Sequence, residues 1–250
     1  MTKLYARFLV ALVTAATAIL GRWRRLTVRA RAHHLLAPES TVMVNGVAIT
    51  LLVPDRASVY WPRHGFASEP GTLAWIEGFT AADVLYDVGA NVGAFTLYAA
   101  KARAVRVVAF EPNPFTYRVL VRNLHLNDVA ELVTPLCLAA NDATGARPLF
   151  LKGTEAGSVG HHLDEGDSDD EGLRVQALAY ALDDVAAIAG IPRPTHVKID
   201  VDGIEAAVLE GGRRLLSDRG LKSVMIELLT HDEAGQARIQ GFLGDCGLRP

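Results

Sequence analysis

A doubly wound, mostly parallel α/β sheet with helices on both faces is the fold class this sequence predicts. Three observations carry the prediction. From residue 83 short apolar runs alternate with helix-length stretches, the rhythm of strand–helix–strand units. The first of them, "VLYDV" (84–88), reads as a buried strand. A glycine turn, "DVGANVG" (87–93), follows the first run, where such sheets receive their ligands.

Composition agrees with one large domain behind an N-terminal extension. Half of the 250 residues are hydrophobic, enough for a sizeable core and against global disorder. A net charge of −3 gives no electrostatic footprint for nucleic acid. Cys137 and Cys246 form no C-x-x-C pair, which argues against a disulfide framework or a structural zinc and for a reducing, cytoplasmic setting.

Taken in order, residues 1–25 form an apolar and basic segment. "FLVALVTAATAIL" (8–20) has Lys3 and Arg7 before it and "RWRR" (22–25) after it. Thirteen helical residues reach about 20 Å, short of a ~30 Å hydrocarbon core. Ala16 and Ala18 match the small-residue spacing of a signal-peptide cleavage site. Cations on both flanks fit peripheral contact with a membrane surface through residues 5–25 better, and a helix packed on the domain or a loose arm fits equally. Residues 26–80 read as a lead-in. "VMVNGVAITLLV" (42–53) carries the Asn45-Gly46 hairpin signal, and "EPGTLAWIEGF" (69–79) is a short helix opened by Pro70.

The domain proper spans 81–250. "VLYDV" (84–88), "RVVAF" (106–110) and "ELVTPLCLA" (131–139) are the first three strands, with helices over 92–103 and 114–126. "THVKIDV" (195–201) and "KSVMIEL" (222–228) are the next two, around a helix at 203–216. An insert at about 145–180 breaks the rhythm. Within it "RPLFLK" (147–152) and "LRVQALAY" (173–180) are expected to pair antiparallel. Between them "HHLDEGDSDDEG" (161–172) reads as a solvated loop, because position twelve counted from Asp167 is Leu178 and not the acid a calcium loop requires.

The turn selects its ligand by what it lacks. Gly89 lets the chain turn and approach a ligand, Gly93 lets the next helix pack against the sheet, and Asn91 stands where a dinucleotide fingerprint has its middle glycine. That substitution disfavours a pyrophosphate. Asp87, just ahead, repels phosphate and suits a cation. Glu111 ends the second strand, where a carboxylate accepts both hydroxyls of a ribose. A nucleoside bearing positive charge satisfies all of these, and S-adenosylmethionine is such a molecule.

Three stretches, "DVGANVGAFTLYAA", "FEPNPFTYRVLVRNLHLN" and "VKIDVDGIEAAVLEGG", resemble the FkbM-type S-adenosylmethionine-dependent methyltransferases, with the likeness running over about residues 69–230. The resemblance implies a class I, Rossmann-like methyltransferase fold and methyl transfer to a hydroxyl oxygen of a small molecule, sugar or lipid. By it Asp87, Gly89, Asn91 and Gly93 cradle the methionine part, Glu111 holds the ribose, and Asn141 and Asp142 lie near the adenine. Such folds close with an antiparallel pair of strands, whereas this sequence runs to "GDCGLRP" (244–250), so that hairpin is expected to be missing or shortened.

An alcohol is a poor nucleophile and gains from a base. Lys198, Asp200 and Asp202 share one side of the fourth strand, where charges require pairing or a cleft. Asp200 is the first choice for acceptor contact or base, with Lys198 as its partner; a pair that only orients the strand end is the alternative. Asp202 before Gly203 suits a helix cap, and Glu227, His161, His162 and His231 are further candidates. No ligand spacing demands a metal. An NAD-dependent oxidoreductase and a non-catalytic scaffold that keeps the methyltransferase fold are the rival readings.

Overall fold

The computed structural model describes residues 2–158, 162–163, 172–228 and 233–249. The chain divides into two compact units, one ending at Pro38 and one beginning at Glu39. The first holds helices α1 (Thr2–Ala16) and α2 (Arg22–Leu35). The second helix crosses the boundary expected at residue 25. No helix among the described residues is long and apolar enough to cross a membrane.

The second unit opens with the expected hairpin, β1 (Glu39–Val44) and β2 (Val47–Leu52). Asn45 and Gly46 both have positive φ, at 46° and 84°, as the tight turn that matches strand twist requires. Short helical turns follow, including α3 (Phe66–Ser68), and then α4 (Pro70–Glu77) with proline in its first turn.

The strand–helix series comes next: β3 (Val84–Val88), α5 (Ala94–Arg103), β4 (Arg106–Phe110), α6 (Pro114–Leu126) and β5 (Val133–Leu136). All five β3 residues are buried, so its apolar side chains are covered on both faces. α6 starts sharply because Asn113 Oδ1 accepts the Phe115 N–H at 3.0 Å and Pro114 presets the first helical φ. Two buried amides, Asn123 on α6 and Asn127 at its end, hold the hairpin: Asn123 Oδ1 accepts the Leu52 N–H at 2.7 Å and Asn127 Oδ1 the Thr50 N–H at 2.9 Å.

The chain then leaves the main sheet to build a second one from β6 (Ala139–Ala140), β7 (Gly145–Leu151), β8 (His162–Leu163) and β9 (Leu173–Tyr180). β7 and β9 pair antiparallel as expected, from Gly145 opposite Ala179 to Leu151 opposite Leu173. After α7 (Leu182–Val185) the main sheet is completed by β10 (His196–Ile199), helices α8 (Glu205–Gly211) and α9 (Arg213–Leu216), and β11 (Ser223–Ile226). Its order is β11-β10-β3-β4-β5, with every pair parallel. Strand order therefore reverses at β3, whose carboxyl end is the switch point. Among the described residues β11 is followed by α10 (Glu233–Asp245) and no further strand.

One sequence expectation needs correction. The run 131–139 is not a single strand: residues 133–136 belong to the main sheet, and Ala139–Ala140 pair with β9 in the second. β5 is the edge of its sheet, where Pro135, lacking an N–H, is tolerated. The chain then steps across Cys137 and Leu138 to the other sheet. The insert is therefore a sheet that β6 helps to build, not a detached excursion.

Candidate active site

The glycine turn is built by close approach. The N–H groups of Gly89 and Ala90 both donate to the Phe110 carbonyl, at 3.1 and 2.9 Å, which draws the ends of β3 and β4 together. Gly89 has φ +85°, and a Cβ there would stand 1.9 Å from the Asp200 carbonyl oxygen. A side chain is excluded both by that contact and by the left-handed backbone. Gly93, at φ +88°, leaves no room for a Cβ against Leu120 Cδ1 at 2.4 Å, so α5 starts tight on α6.

Glu111 is fixed from two sides. Its Oε2 accepts the Asn91 N–H at 2.9 Å and its Oε1 the Asn113 N–H at 2.8 Å. Burial pushes its carboxyl up to about 7, against the pull of those two hydrogen bonds, and the nearby Asp202 and Asp87 charges add to the rise. Asn91 itself has φ 51°, and its Oδ1 accepts the Val92 N–H at 2.8 Å.

A cavity of about 680 Å³ opens at this end of the sheet, within the ~300–1,000 Å³ of small-molecule sites. Of the sequence-derived candidates, Gly89, Asn91, Glu111 and Asp200 line it. Asp202 and Glu227 line it too, together with Glu69 and the aromatic pair Tyr60 and Trp61. Ala139, Ala140 and Leu149 form an apolar wall. Glu69, Tyr60 and Trp61 were not singled out by sequence, and no local spacing marks them, because the segment before the sheet brings them in only on folding.

The other candidates stand behind the wall. Asp87 is buried beneath the turn, where its Oδ2 accepts the Thr96 hydroxyl at 2.5 Å. Burial raises its carboxyl more than Lys198 lowers it. Its Oδ1 is buried with no hydrogen-bond partner among the described residues. Gly93 serves helix packing. Asn141 is buried beside β6, with Oδ1 accepting the Asp142 N–H at 2.9 Å, and Asp142 pairs with Arg147 at 3.6 Å. Neither lines the cavity; the two alanines immediately before them do. His161 and His231 lie outside the described residues, as does most of the acidic stretch 161–172.

Lys198 lies buried between acids. Its Nζ contacts Asp200 Oδ2 directly, stands 3.9 Å from Glu69 Oε2, and sits 5.0 Å over the Phe95 ring. Burial alone lowers an ammonium pKa, but Asp87, Asp200 and Glu69 outweigh it and hold the group protonated. Asp200 is pulled below the usual carboxylate range: burial opposes ionisation, and hydrogen bonds from Glu227 and Lys198 overcome it. Glu227 is pushed up to about 8, first by its hydrogen bond to Asp200 and then by that neighbour's charge. At neutral pH the two carboxyls therefore share one proton. The residue at the start of α8 is Ile204, whose side chain makes no cap. Among the described residues no three His, Cys, Asp or Glu side chains form a group able to hold a metal ion.

Comparison with known proteins places these features in context. The family model of the methyltransferase FkbM domain matches residues 87–249. The chain is similar to the hexuronic acid methyltransferase AglP of Haloferax volcanii, 31% identical over 152 residues, covering 58% of this chain and 56% of that one. It is also similar to the 31-O-demethyl-FK506 methyltransferase FkbM of Streptomyces tacrolimicus, 30% identical over 175 residues, covering 60% and 62%. A third relative, methyltransferase sdnD of Sordaria araneosa, is 42% identical over 66 residues, 26% of each chain. The chain thus spans less than two thirds of these relatives' lengths. Among solved structures, a methyltransferase FkbM from Methylobacillus flagellatus aligns with a TM-score of 0.40 at 21% identity, over 57% of this chain and 32% of that one. The stretch matched by the family model takes in the glycine turn, Glu111 and the end of β10, and with it the chain belongs to the FkbM methyltransferase family.

Proposed function

We propose that the chain transfers a methyl group from S-adenosylmethionine to a hydroxyl oxygen of a small molecule, sugar or lipid. One observation carries the reading: a carboxylate, Glu111, held by two backbone N–H groups, faces a cavity at the switch point of a parallel sheet. Such a group binds paired hydroxyls and rejects phosphates. The acids Glu69, Asp200, Asp202 and Glu227 around the same cavity favour a ligand with positive charge. The chemistry supplied by S-adenosylmethionine when bound is a methyl group already activated on a sulfonium.

The remaining work falls to this chain's residues. Glu111 orients the nucleoside, and Ala139, Ala140 and Leu149 offer a flat ring an apolar surface in the place where family likeness suggested Asn141 and Asp142. Asp200, ionised and steadied by Lys198 and Glu227, accepts the O–H of the incoming acceptor. That hydrogen bond aligns the oxygen for attack, and the leaving proton passes to the Asp200–Glu227 pair. Tyr60 and Trp61 wall this end against water. The names of two relatives, one specifying a hexuronic acid and one a 31-O-demethyl compound, support an oxygen acceptor here.

The test uses methyl-labelled S-adenosylmethionine and a small-molecule extract of the source organism. The label is expected in a methyl ether, and label carried on nitrogen or carbon contradicts the oxygen assignment. With the product in hand, Asp200→Asn is expected to lower turnover by roughly 10²–10⁴-fold while leaving S-adenosylhomocysteine affinity nearly unchanged. Full turnover removes Asp200 from the proton path.

A further inference from the structure

The first unit contradicts the usual rule for helices in water. A surface helix turns its apolar stripe to a core. Here α1 meets α2 near its end, where Arg29 Nη2 donates to Thr14 Oγ1 at 2.9 Å and Thr17, just past the helix, is buried. Leu4, Phe8 and Leu12, at four-residue spacing, are 73%, 59% and 50% exposed, and Tyr5, Leu9 and Val10 between them are also exposed. No residue of α1 is buried. Trp23 and Leu26 on α2 are exposed as well.

Charge identifies what covers that face. Residues 1–38 contain no Asp or Glu. They carry Lys3 and Arg7 on α1 and Arg22, Arg24, Arg25, Arg29 and Arg31 on α2. A second copy would bring an equally positive surface and be repelled. An acyl-chain boundary beneath anionic headgroups accepts both features at once, apolar side chains below and cations above. At 15 residues, α1 reaches about 22 Å, which suits lying in an interface and not spanning one.

We infer that residues 1–38 form a lipid-docking unit that seats α1 in the surface of an anionic membrane. Leu4, Phe8, Leu12 and Trp23 enter the interface, and the arginines of α2 meet the headgroups. The inference is independent of the reaction at the sheet.

The full chain is to be floated with vesicles of pure phosphatidylcholine and with vesicles of equal parts phosphatidylcholine and phosphatidylglycerol. Binding is expected on the anionic vesicles, roughly tenfold or more weaker on the neutral ones, and weakened by raised salt as the Debye length falls from ~10 to ~3 Å. Substituting Leu4→Gln, Phe8→Gln and Leu12→Gln together, or Arg24→Gln, Arg25→Gln and Arg31→Gln together, is expected to weaken flotation by roughly tenfold. These side chains lie outside the second unit, so its melting transition, read alongside, is expected to stay in place. Absence of flotation, equal flotation with both vesicles, or flotation indifferent to the leucine and phenylalanine substitutions overturns the inference. So does lipid-free self-association that those same substitutions abolish, which makes a second copy the occupant.

Discussion

In the proposed function a single side chain, Glu111, sets both specificity and pH response. Burial and neighbouring acids hold its carboxyl at about 7 in the free protein, while hydroxyl donors bind the ionised form. Ligand binding must therefore displace a proton below that value and need not above it. S-adenosylhomocysteine affinity is expected to be flat on the alkaline side and to weaken by about tenfold per pH unit on the acid side, as read by calorimetric titration. A pH-independent affinity would show that the carboxylate does not contact the ligand. Sequence spacing made Glu111 and Gly89 legible because strand–turn–helix geometry fixes where both must stand. It could not reveal Glu69, since nothing local links residue 69 to Lys198. Nor could it foresee that Asn141 and Asp142 stop just outside the cavity, with the wall made by the two alanines before them.

The glycine turn works as an element because two strand ends meet in it. Gly89 touches the backbone of Asp200, the residue that follows β10, so cofactor turn and acid cluster are one rigid junction. Gly89→Ala forces a left-handed L-residue and a backbone overlap together. It is expected to destabilise the fold by ~2 kcal/mol or more and to abolish S-adenosylhomocysteine binding. Gly145→Ala, where a Cβ meets nothing within 4 Å, is the control, expected to stay within ~0.5 kcal/mol. Denaturant melts compare the two, and equal stability would mean that the turn is not constrained as described. At this scale Val84–Val88 and Pro114–Leu126 were readable to the residue, from an apolar run and from a proline-led helix start. The break after Leu136 was not: 131–139 is one apolar run by composition, and only its pairing with two different sheets divides it.

For the molecule as a whole, the two ends of the central sheet do different work. At the amino end Asp83 accepts hydrogen bonds from Thr80, Thr195 and Lys222, which holds its carboxyl well below the usual range despite burial and anchors β3 to its neighbours. At the carboxyl end the reversal of strand order leaves a crevice, and the second sheet contributes its apolar wall. Acids dominate the crevice, with Lys198 buried among them, which supports the proposed site for a positively charged nucleoside over one for a pyrophosphate. Calorimetric titration of the wild-type chain with S-adenosylhomocysteine and, separately, with NAD tests this claim most directly. One saturable site for S-adenosylhomocysteine and no heat with NAD is the predicted result; no binding of S-adenosylhomocysteine, or binding of NAD in its stead, would contradict it.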